Sequence, residues 1–241
     1  MSPAITSDDK NGDFRSRVAA ERRERMQARL LDAVLDLYQP QPGHGGTQPL
    51  IDDVIRAAEV SRGSFYKYFE SVEHAVTALG ERFTAENMQA FELLFGQAQD
   101  PALKAIGGTA MTISRAWHDP RWGGFTTHVD HVEYFSRASS TNQIVRECLA
   151  DARRQGQMHF DSLDVAFDLI VGATVQARRR LVNGVEAPRA YVDEMLQRLF
   201  LGLGMQPDAL AATTQTAWRR IAENAPQLGW WRTDCDWHQQ P

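Results

Sequence analysis

A short stretch between Ile51 and Phe69 constrains the fold more than any other part of the sequence, because its pattern predicts two short helices joined by a tight turn. Apolar residues at positions 51, 54, 55 and 58 repeat with the spacing of one helix face. Ser61 is a suitable N-cap for a second helix, whose apolar face restarts with Phe65 and Phe69. The stretch therefore predicts a helix-turn-helix.

The second helix keeps a polar outer side when Val60, Phe65 and Phe69 turn inward. Its guanidinium, hydroxyl and ammonium groups suit base edges and phosphates in the major groove of DNA. Gly63 lowers helix stability by up to about 1 kcal/mol relative to Ala, so it needs a reason, such as close approach of a DNA backbone or of the preceding helix. The candidate DNA-binding residues here are Ser61, Arg62, Gly63, Ser64, Tyr66 and Lys67.

The run from Ala57 to Glu73, A-A-E-V-S-R-G-S-F-Y-K-Y-F-E-S-V-E, closely resembles the helix-turn-helix of the tetracycline-repressor (TetR) family of transcription regulators. The upstream run L-L-D-A-V-L-D-L-Y resembles the same family, and the resemblance covers about a quarter of the chain. It implies an all-α fold, with an N-terminal three-helix domain and a larger C-terminal helical domain for dimerisation and ligand binding. It also implies a non-enzymatic homodimeric repressor that responds to a ligand and binds a roughly palindromic double-stranded DNA operator.

Three positions depart from the family pattern. Glu59 stands where the turn usually has Gly, the residue that adopts positive φ without cost. Val72 stands where the fourth helix usually begins with a phosphate-contacting Lys, and Leu50 stands where the second helix often has a Ser or Thr cap. These departures leave open a second function, in which a dimer of the same fold has impaired DNA binding and serves as a ligand-binding or protein-interaction module.

Charge is distributed unevenly along the chain. The net charge of −5 argues against indiscriminate coating of nucleic acid, although a specific binder needs only a local basic surface. Residues 15–29 contain six Arg against two Glu, whereas residues 48–85 contain four bases against six acids. Much of the attraction to DNA is therefore expected from the arginine-rich first helix, with Arg22, Arg23 and Arg25 as further candidate DNA-binding residues.

Helix and turn signals divide the chain into four parts. We expect a disordered leader at 1–14, the helix-turn-helix domain at 15–71, a ligand-binding and dimerisation domain at 72–225, and a Trp-rich tail at 226–241. Further helices are expected at about 16–39, 72–99, 101–118, 125–138, 142–154 and 207–224, with two long amphipathic helices starting near 163 and 188, a loop at 40–49, and a turn at R-W-G-G.

The composition limits the environment of the chain. It has no run of about 18 apolar residues and no signal-peptide pattern, so we expect a cytoplasmic protein with no membrane partner. Cys148 and Cys235 match no metal or redox spacing and are expected to be ordinary reduced thiols.

Aromatic and histidine side chains concentrate between Trp117 and Phe135, and such walls are typical of small-molecule pockets. Aromatic residues at helical spacing are also typical of an ordinary core, and a weaker alternative is an all-α enzyme. No P-loop, nucleophile elbow or dinucleotide motif is present, and the pair His128 and His131 lacks a firm third metal ligand, so neither a metal nor a cofactor is expected. The candidate residues for an apolar or aromatic ligand are Phe91, Phe95, Trp117, His118, Phe125, His128, His131 and Phe135.

The two long amphipathic helices suggest a dimer contact. Apolar stripes on such helices suit a two-fold four-helix interface, and small residues such as Gly172 and Ala173 permit close approach. The family resemblance places the dimer contact in the same two helices. The candidate interface residues are Leu163, Phe167, Ile170, Thr174, Val192, Met195, Leu199 and Leu203.

Overall fold

The computed structural model describes residues 7–38, 49–129, 140–235 and 237, and within these ranges the chain is all-α, as the sequence predicts. The helices are α1 (Ser7–Leu37), α2 (Ile51–Ala57), α3 (Arg62–Phe65), α4 (Val72–Phe95), α5 (Pro101–His118), α6 (Pro120–His128), α7 (Ser140–Arg154), α8 (Leu163–Val182), α9 (Pro188–Gly202) and α10 (Pro207–Asn224), followed by a 3₁₀ turn at Ala225–Gln227. None of these helices is long and apolar enough to cross a membrane.

The described residues form two compact units. The first comprises residues 7–38 and 49–79, and the second comprises 80–129, 140–235 and 237. The sequence suggested a boundary at 71, but the first unit continues to Leu79 because the opening turns of α4 carry the buried residues Val72, Ala75, Val76 and Leu79.

Helix α1 begins earlier than expected. We predicted a disordered leader to residue 14, whereas α1 already starts at Ser7. The buried positions on α1 begin with Leu30 and Val34, as the apolar pattern predicts. The expected loop at 40–49 lies almost wholly outside the described residues.

Helix α2 ends in a Schellman motif centred on Glu59. The Glu59 N–H donates to the Arg56 carbonyl at 3.2 Å, and the Val60 N–H donates to the Ile55 carbonyl at 3.0 Å. Glu59 has φ 51°, which is the left-handed conformation. This conformation was expected because the family pattern usually has Gly at this position. Its carboxylate accepts a hydrogen bond from Arg29 on α1 at 2.9 Å. This exposed ion pair offsets only a small part of the backbone strain.

Helix α3 is shorter than predicted. It has four residues, after which the chain continues through turns to the buried Phe69, rather than as one helix to that residue. Ser61 is the expected N-cap, since its hydroxyl accepts from the Ser64 N–H at 3.1 Å. The Phe65 ring is buried and lies 5.9 Å from the Phe69 ring. Burial of each ring contributes about 1.5–3 kcal/mol, which anchors this short segment.

Helix α5 is the centre of the second unit. Fourteen of its eighteen residues are buried, so it must be covered on several sides, and it packs against α6, α7, α8, α9 and α10. Its bounds are those predicted from Pro101 and the Asp119-Pro120 pair. Gly107 is required by packing here, because a Cβ at this position would collide with the Phe95 ring. The α5 helix therefore fixes where its neighbours' side chains lie.

The R-W-G-G segment is helical and does not form the turn that we predicted. Asp119 caps α6 by accepting from the Trp122 N–H at 3.1 Å, and Pro120 opens the helix at a position that needs no donor. The expected sixth helix at 125–138 therefore starts earlier, and residues 130–139 lie outside the described part of the chain. Other predicted signals hold: Ser162 caps α8, and Gly156 and Gly184 have φ +72° and +94° at the expected helix ends.

Replacement of Glu59 tests the strained turn. Glu59→Gly and Glu59→Ala both remove the ion pair with Arg29, but only Gly relieves the positive φ. We expect the Gly variant to be about 1 kcal/mol more stable than the Ala variant, because a Cβ in the left-handed region costs about 1–2 kcal/mol and glycine loses part of this gain as unfolded-state entropy. Denaturant unfolding followed by circular dichroism measures the difference. Equal stabilities would contradict the left-handed conformation of residue 59.

Candidate functional site

The predicted DNA-binding residues share one exposed surface around α3. Ser61, Arg62, Gly63 and Lys67 are exposed, and the Tyr66 side chain is 52% exposed although its ring packs edge-on against Phe65 at 5.7 Å. The Ser64 hydroxyl is half-buried and lies 2.9 Å from the Ser61 hydroxyl within the cap. Phe65 and Phe69 hold this surface outward by filling the core beneath it. The outer face of α3 and of the turn that follows it thus carries cationic, hydroxyl and aromatic groups.

Gly63 is not explained by packing within the described chain. A Cβ at this position would meet only the Ser61 hydroxyl oxygen, at 4.0 Å, and φ is not positive. Alanine would be more favourable there by up to about 1 kcal/mol in helix propensity. Of the two reasons that the sequence suggested, close approach of another helix is not found among the described residues.

Arg62 is held by a carboxylate of the preceding helix. Its Nη2 donates to Asp52 Oδ1 at 2.5 Å, and both side chains are more than half exposed. This hydrogen bond and the negative charge of Asp52 raise the pKa of Arg62 above its ordinary value. In the free protein, the guanidinium that we predicted to bind a base edge is therefore already hydrogen-bonded to Asp52.

The arginines of α1 provide a second basic surface in the first unit. Arg22, Arg23 and Arg25 are exposed, and Arg25 makes only a loose contact of 3.8 Å with Glu21 one turn away. Such exposed pairs contribute little, so these guanidiniums are accessible to phosphates.

Two of the departures from the family pattern have structural consequences. Val72 is buried, so this position belongs to the core and offers no cation to DNA. Leu50 is 70% exposed and offers no side-chain acceptor at the start of α2, where Asp53 instead accepts from the Leu50 N–H at 3.2 Å. At these two positions, the first unit therefore lacks the cation and the capping hydroxyl that the family pattern has.

Two adjoining pockets lie in the second unit. The first, which we call the α7 pocket, is open to solvent on one side and contains about 430 Å³ of empty space between α4, α5 and α7, part of it bulk solvent; its walls include Met88, Phe91, Met111, Ile144, Val145 and Cys148. The second, the α6 pocket, is similarly open and contains about 520 Å³ of empty space between α4, α5 and α6, with walls that include Phe83, Thr84, Trp122, Phe125, Thr126 and Val129. Asn87, Thr112 and Thr141 line both pockets and form the junction between them.

Some predicted ligand residues reach these pockets and others do not. Phe91 lines the α7 pocket and Phe125 lines the α6 pocket, whereas Phe95 is fully buried beside Gly107. His128 ends α6, and nothing of its side chain is described; His131 and Phe135 lie outside the described residues. The remaining pair, Trp117 and His118, contacts the C-terminal tail instead of the pockets.

The Trp-rich tail covers the end of α5. The Trp231 ring stacks on His118 with 3.7 Å between ring centroids, and the buried Trp237 lies 4.9 Å from the same ring. His118 Nδ1 lies 2.9 Å from the Arg232 carbonyl, which can only accept, so Nδ1 carries the proton. Arg232 in turn donates to the Trp117 carbonyl at 2.8 Å. The tail thus contacts both residues, and neither of them lines the two pockets.

A buried arginine links α4 and α5, the two helices that line both pockets. Arg115 donates to Glu86 at 2.5 Å, to Asn87 Oδ1 at 2.9 Å and to Asp119 at 3.5 Å. A buried guanidinium is stable only when it is paired in this way. Since Glu86 and Asn87 belong to α4 and Arg115 to α5, the cluster fixes the position of the Asn87 amide at the pocket junction.

Trp122 lies between two guanidinium groups. Arg115 and Arg178 lie 4.9 Å and 5.3 Å from its ring centre, a cation–π arrangement on a side chain that lines the α6 pocket. Burial, and then the charge of Arg179, lower the pKa of Arg178 to about 10, so it stays protonated at neutral pH. In the α7 pocket, burial raises the pKa of the Cys148 thiol to about 11, so this thiol is neutral at neutral pH.

Several predicted dimer residues are packed inside the protomer. Phe167, Ile170, Thr174, Val192 and Leu203 are buried among the chain's own helices, and Leu163, Met195 and Leu199 are half-buried. The exposed side of α8 carries Val165 and Leu169 instead, with exposed fractions of 58% and 50%, followed by the open Gly172. The periodicity located the apolar stripe of α8 correctly, but the protomer's own helices cover most of this stripe.

Sequence reasoning missed most of the pocket lining. Asn87, Thr112 and Thr141 are single polar residues on three separate helices, and no local pattern marks them as neighbours. The one usable signal was the run of small and hydroxyl residues on α5, G-G-T-A-M-T, which is unusually poor in large apolar side chains for a central helix.

Comparison with solved structures identifies the fold as that of the TetR-family regulators. CprB from S. coelicolor A3(2), a TetR family protein, is 19% identical with a TM-score of 0.62, and the match covers 84% of this chain and 99% of that one. RolR in complex with resorcinol is 21% identical with a TM-score of 0.59, covering 83% and 96% of the two chains. A gamma-butyrolactone receptor, an ArpA-like protein, is 20% identical with a TM-score of 0.61, covering 84% and 98%. No protein-family model and no curated protein matches the sequence.

Removal of the Asp52 charge tests whether the Arg62 pair competes with DNA. We expect Asp52→Asn to raise affinity for double-stranded DNA by about two- to fivefold at low salt, because it releases Arg62 and removes one repulsive charge. Fluorescence anisotropy with a labelled duplex measures the change. The gain should largely disappear in an Arg62→Ala background. If Asp53→Asn gives the same gain, only net charge matters and the specific pair does not.

Proposed function

We propose that this chain, which has the fold of the TetR-family regulators, is a homodimeric, ligand-responsive transcriptional repressor. Each subunit places α3 in a major groove, and the two subunits read the halves of a roughly palindromic operator. A ligand bound in the second unit changes the spacing of the two α3 helices in the dimer. DNA affinity then falls, because only one spacing fits half-sites about one helical turn apart.

The observation that carries the DNA-binding part is the exposed surface around Gly63. An exposed glycine in a one-turn helix, with no neighbour that a Cβ would disturb, is unfavourable for the isolated chain. It is favourable if a phosphate backbone approaches closely, between the cations Arg62 and Lys67 and beside the hydroxyl of Tyr66. This combination supports groove binding more specifically than net charge does.

The two adjoining pockets support the ligand-binding part. Their walls are largely apolar with a few polar groups, which is typical of small-molecule sites. Two of the similar solved structures also support ligand binding, since one is RolR in complex with resorcinol and the other is a gamma-butyrolactone receptor. We therefore place the ligand of this chain between α4, α5, α6 and α7.

A specific set of interactions favours a second candidate function. Arg62 is engaged by Asp52, Val72 is buried where a cation would contact phosphate, and the segment 48–85 carries more acids than bases. These features reduce DNA affinity. They support the alternative of a DNA-binding-impaired dimer that binds a ligand or another protein through the same fold.

Binding to the DNA upstream of the chain's own gene separates the two candidates. We expect the intact protein to bind this DNA and a variant without residues 1–23 to bind it less tightly, with a similar loss on random DNA. The slope of log K against log salt should flatten by about 0.9 for each phosphate that the variant no longer neutralises, because fewer counterions are released. The buried part of α1 begins after Arg25, so the truncated unit keeps its core.

The triple change of Arg22, Arg23 and Arg25 to Gln is the matched control for this truncation, since it removes the charge and keeps the helix. An unchanged salt slope in both variants would show that the arginines of α1 do not contact phosphates. If the intact protein binds no DNA even at low salt, the repressor proposal fails and the alternative function replaces it.

The dimer proposal is tested on the exposed face of α8. Leu169→Asp should give a monomer in light scattering, because a dimer contact would bury the new carboxylate at a cost of several kcal/mol. Leu93→Asp is the control, since Leu93 is 43% exposed on α4 rather than α8, and the change is chemically the same. A Leu169→Asp protein that stays dimeric would place the interface elsewhere.

A further inference from the structure

We propose that the pockets bind a ligand with an uncharged hydrogen-bond acceptor, such as a carbonyl oxygen, between two apolar lobes. The acceptor lies at the junction, between the Asn87 amide and the Thr112 hydroxyl, and one lobe fills each pocket. This inference rests on the proposed function in taking the two pockets as the ligand site. It goes further by naming the chemistry that the site selects.

The orientation of the Asn87 amide follows from its hydrogen bond with Arg115. A guanidinium has only donors, so the Asn87 oxygen must face Arg115 Nη1, which lies 2.9 Å away. The other half of the amide, the Nδ2 group, is then directed away from Arg115. Since Asn87 lines both pockets, this NH₂ group can reach a ligand there, and it can only donate. A ligand that satisfies it must offer an acceptor.

Thr112 supplies the second polar group at the junction. The other threonines of the two pockets already use their hydroxyls: Thr84, Thr109 and Thr126 donate to backbone carbonyls of their own helices, and Thr141 donates to the Met88 sulfur. Among the described residues, the Thr112 hydroxyl makes no hydrogen bond, although it lines both pockets. A polar group at a largely apolar site is costly unless it is satisfied, so a ligand atom at the junction gains from pairing with it.

The remaining walls determine the two lobes. In the α6 pocket the lining residues carry no formal charge, and its large side chains are Phe83, Trp122 and Phe125. The α7 pocket has Met88, Phe91 and Met111 in its wall and a single charged lining residue, Lys104. Flexible thioethers and aromatic faces adapt to apolar groups of varied shape. A charged group at the junction would lose its hydration next to these walls.

The inference is tested with benzophenone, which has a ketone between two rings, against diphenylmethane, which has a similar shape without the acceptor. Isothermal titration calorimetry of the full chain in the absence of DNA measures both affinities. We expect benzophenone to bind about tenfold more tightly, because it satisfies the Asn87 and Thr112 donors. Equal affinities, or no binding of either compound up to its solubility, would overturn the inference.

Two near-isosteric variants test which groups donate hydrogen bonds to the ketone, and a third serves as the control. Asn87→Asp keeps an acceptor for Arg115 and loses the NH₂ donor, and Thr112→Val loses the hydroxyl. Each should reduce the preference for benzophenone over diphenylmethane by about three- to tenfold. Thr109→Val is the control in the α7 pocket, because its hydroxyl is committed to the Ala105 carbonyl, and it should keep the wild-type preference. An unchanged preference in Asn87→Asp overturns the assignment.

The outcome is independent of the DNA-binding tests. A ketone preference in a protein that binds no DNA supports the ligand chemistry and removes the repressor function. DNA binding without a ketone preference supports the repressor function and overturns the ligand chemistry. Circular dichroism of each variant separates loss of recognition from loss of the fold.

Discussion

Burial of α5 on nearly all sides is the constraint on which the second unit depends. Apart from Trp117 near its end, only the side with Lys104, Gly108 and Thr112 is half-buried, and the neighbours α6 to α10 are arranged around the buried remainder of the helix. One of its buried residues, Arg115, cannot remain unpaired and therefore draws Glu86 and Asn87 of α4 into a fixed geometry. The same requirement that makes the core stable thus orients a polar group at the junction of the pockets.

In the first unit, the segment around α3 depends on its cap and on the core beneath it. A four-residue helix has little stability of its own, and α3 is held by the Ser61 cap and by the burial of Phe65 and Phe69. The preceding turn keeps a strained Glu59 where glycine would be relaxed. The residues around α3 are therefore held in position by the core beneath them and not by the helical propensity of α3. If this surface binds DNA as proposed, substitutions of the core residues should reduce DNA binding as strongly as substitutions on the surface.

The two candidate functions differ in how strongly the charges of the first unit would attract DNA. Arg62 and Asp52 form an exposed pair that is strong in geometry but weakened by solvent, so DNA phosphates can compete for the guanidinium. The exposed arginines of α1 provide attraction that the acidic segment 48–85 lacks. Under the proposed function, the balance between these two surfaces distinguishes a repressor from a module with impaired DNA binding. The proposed DNA contacts would weaken with salt, whereas the proposed binding of an uncharged apolar ligand in the second unit would not.

The sequence by itself determined the features that depend on residues close together along the chain. The Ser61 cap and the start of α5 at Pro101 follow from a few neighbouring residues, because caps and turns are local hydrogen-bonding choices. The all-α class and the positive φ at Glu59 were implied by the resemblance of residues 57–73 to the TetR helix-turn-helix. Only the tertiary structure decided which arc of α8 is covered, that His118 packs under the tail, and that Asn87 and Thr112 meet at one junction. These outcomes depend on packing between helices that are far apart in sequence. Hydrophobic periodicity predicts which face of a helix is apolar, but it does not predict which part of the protein, or which partner subunit, covers that face.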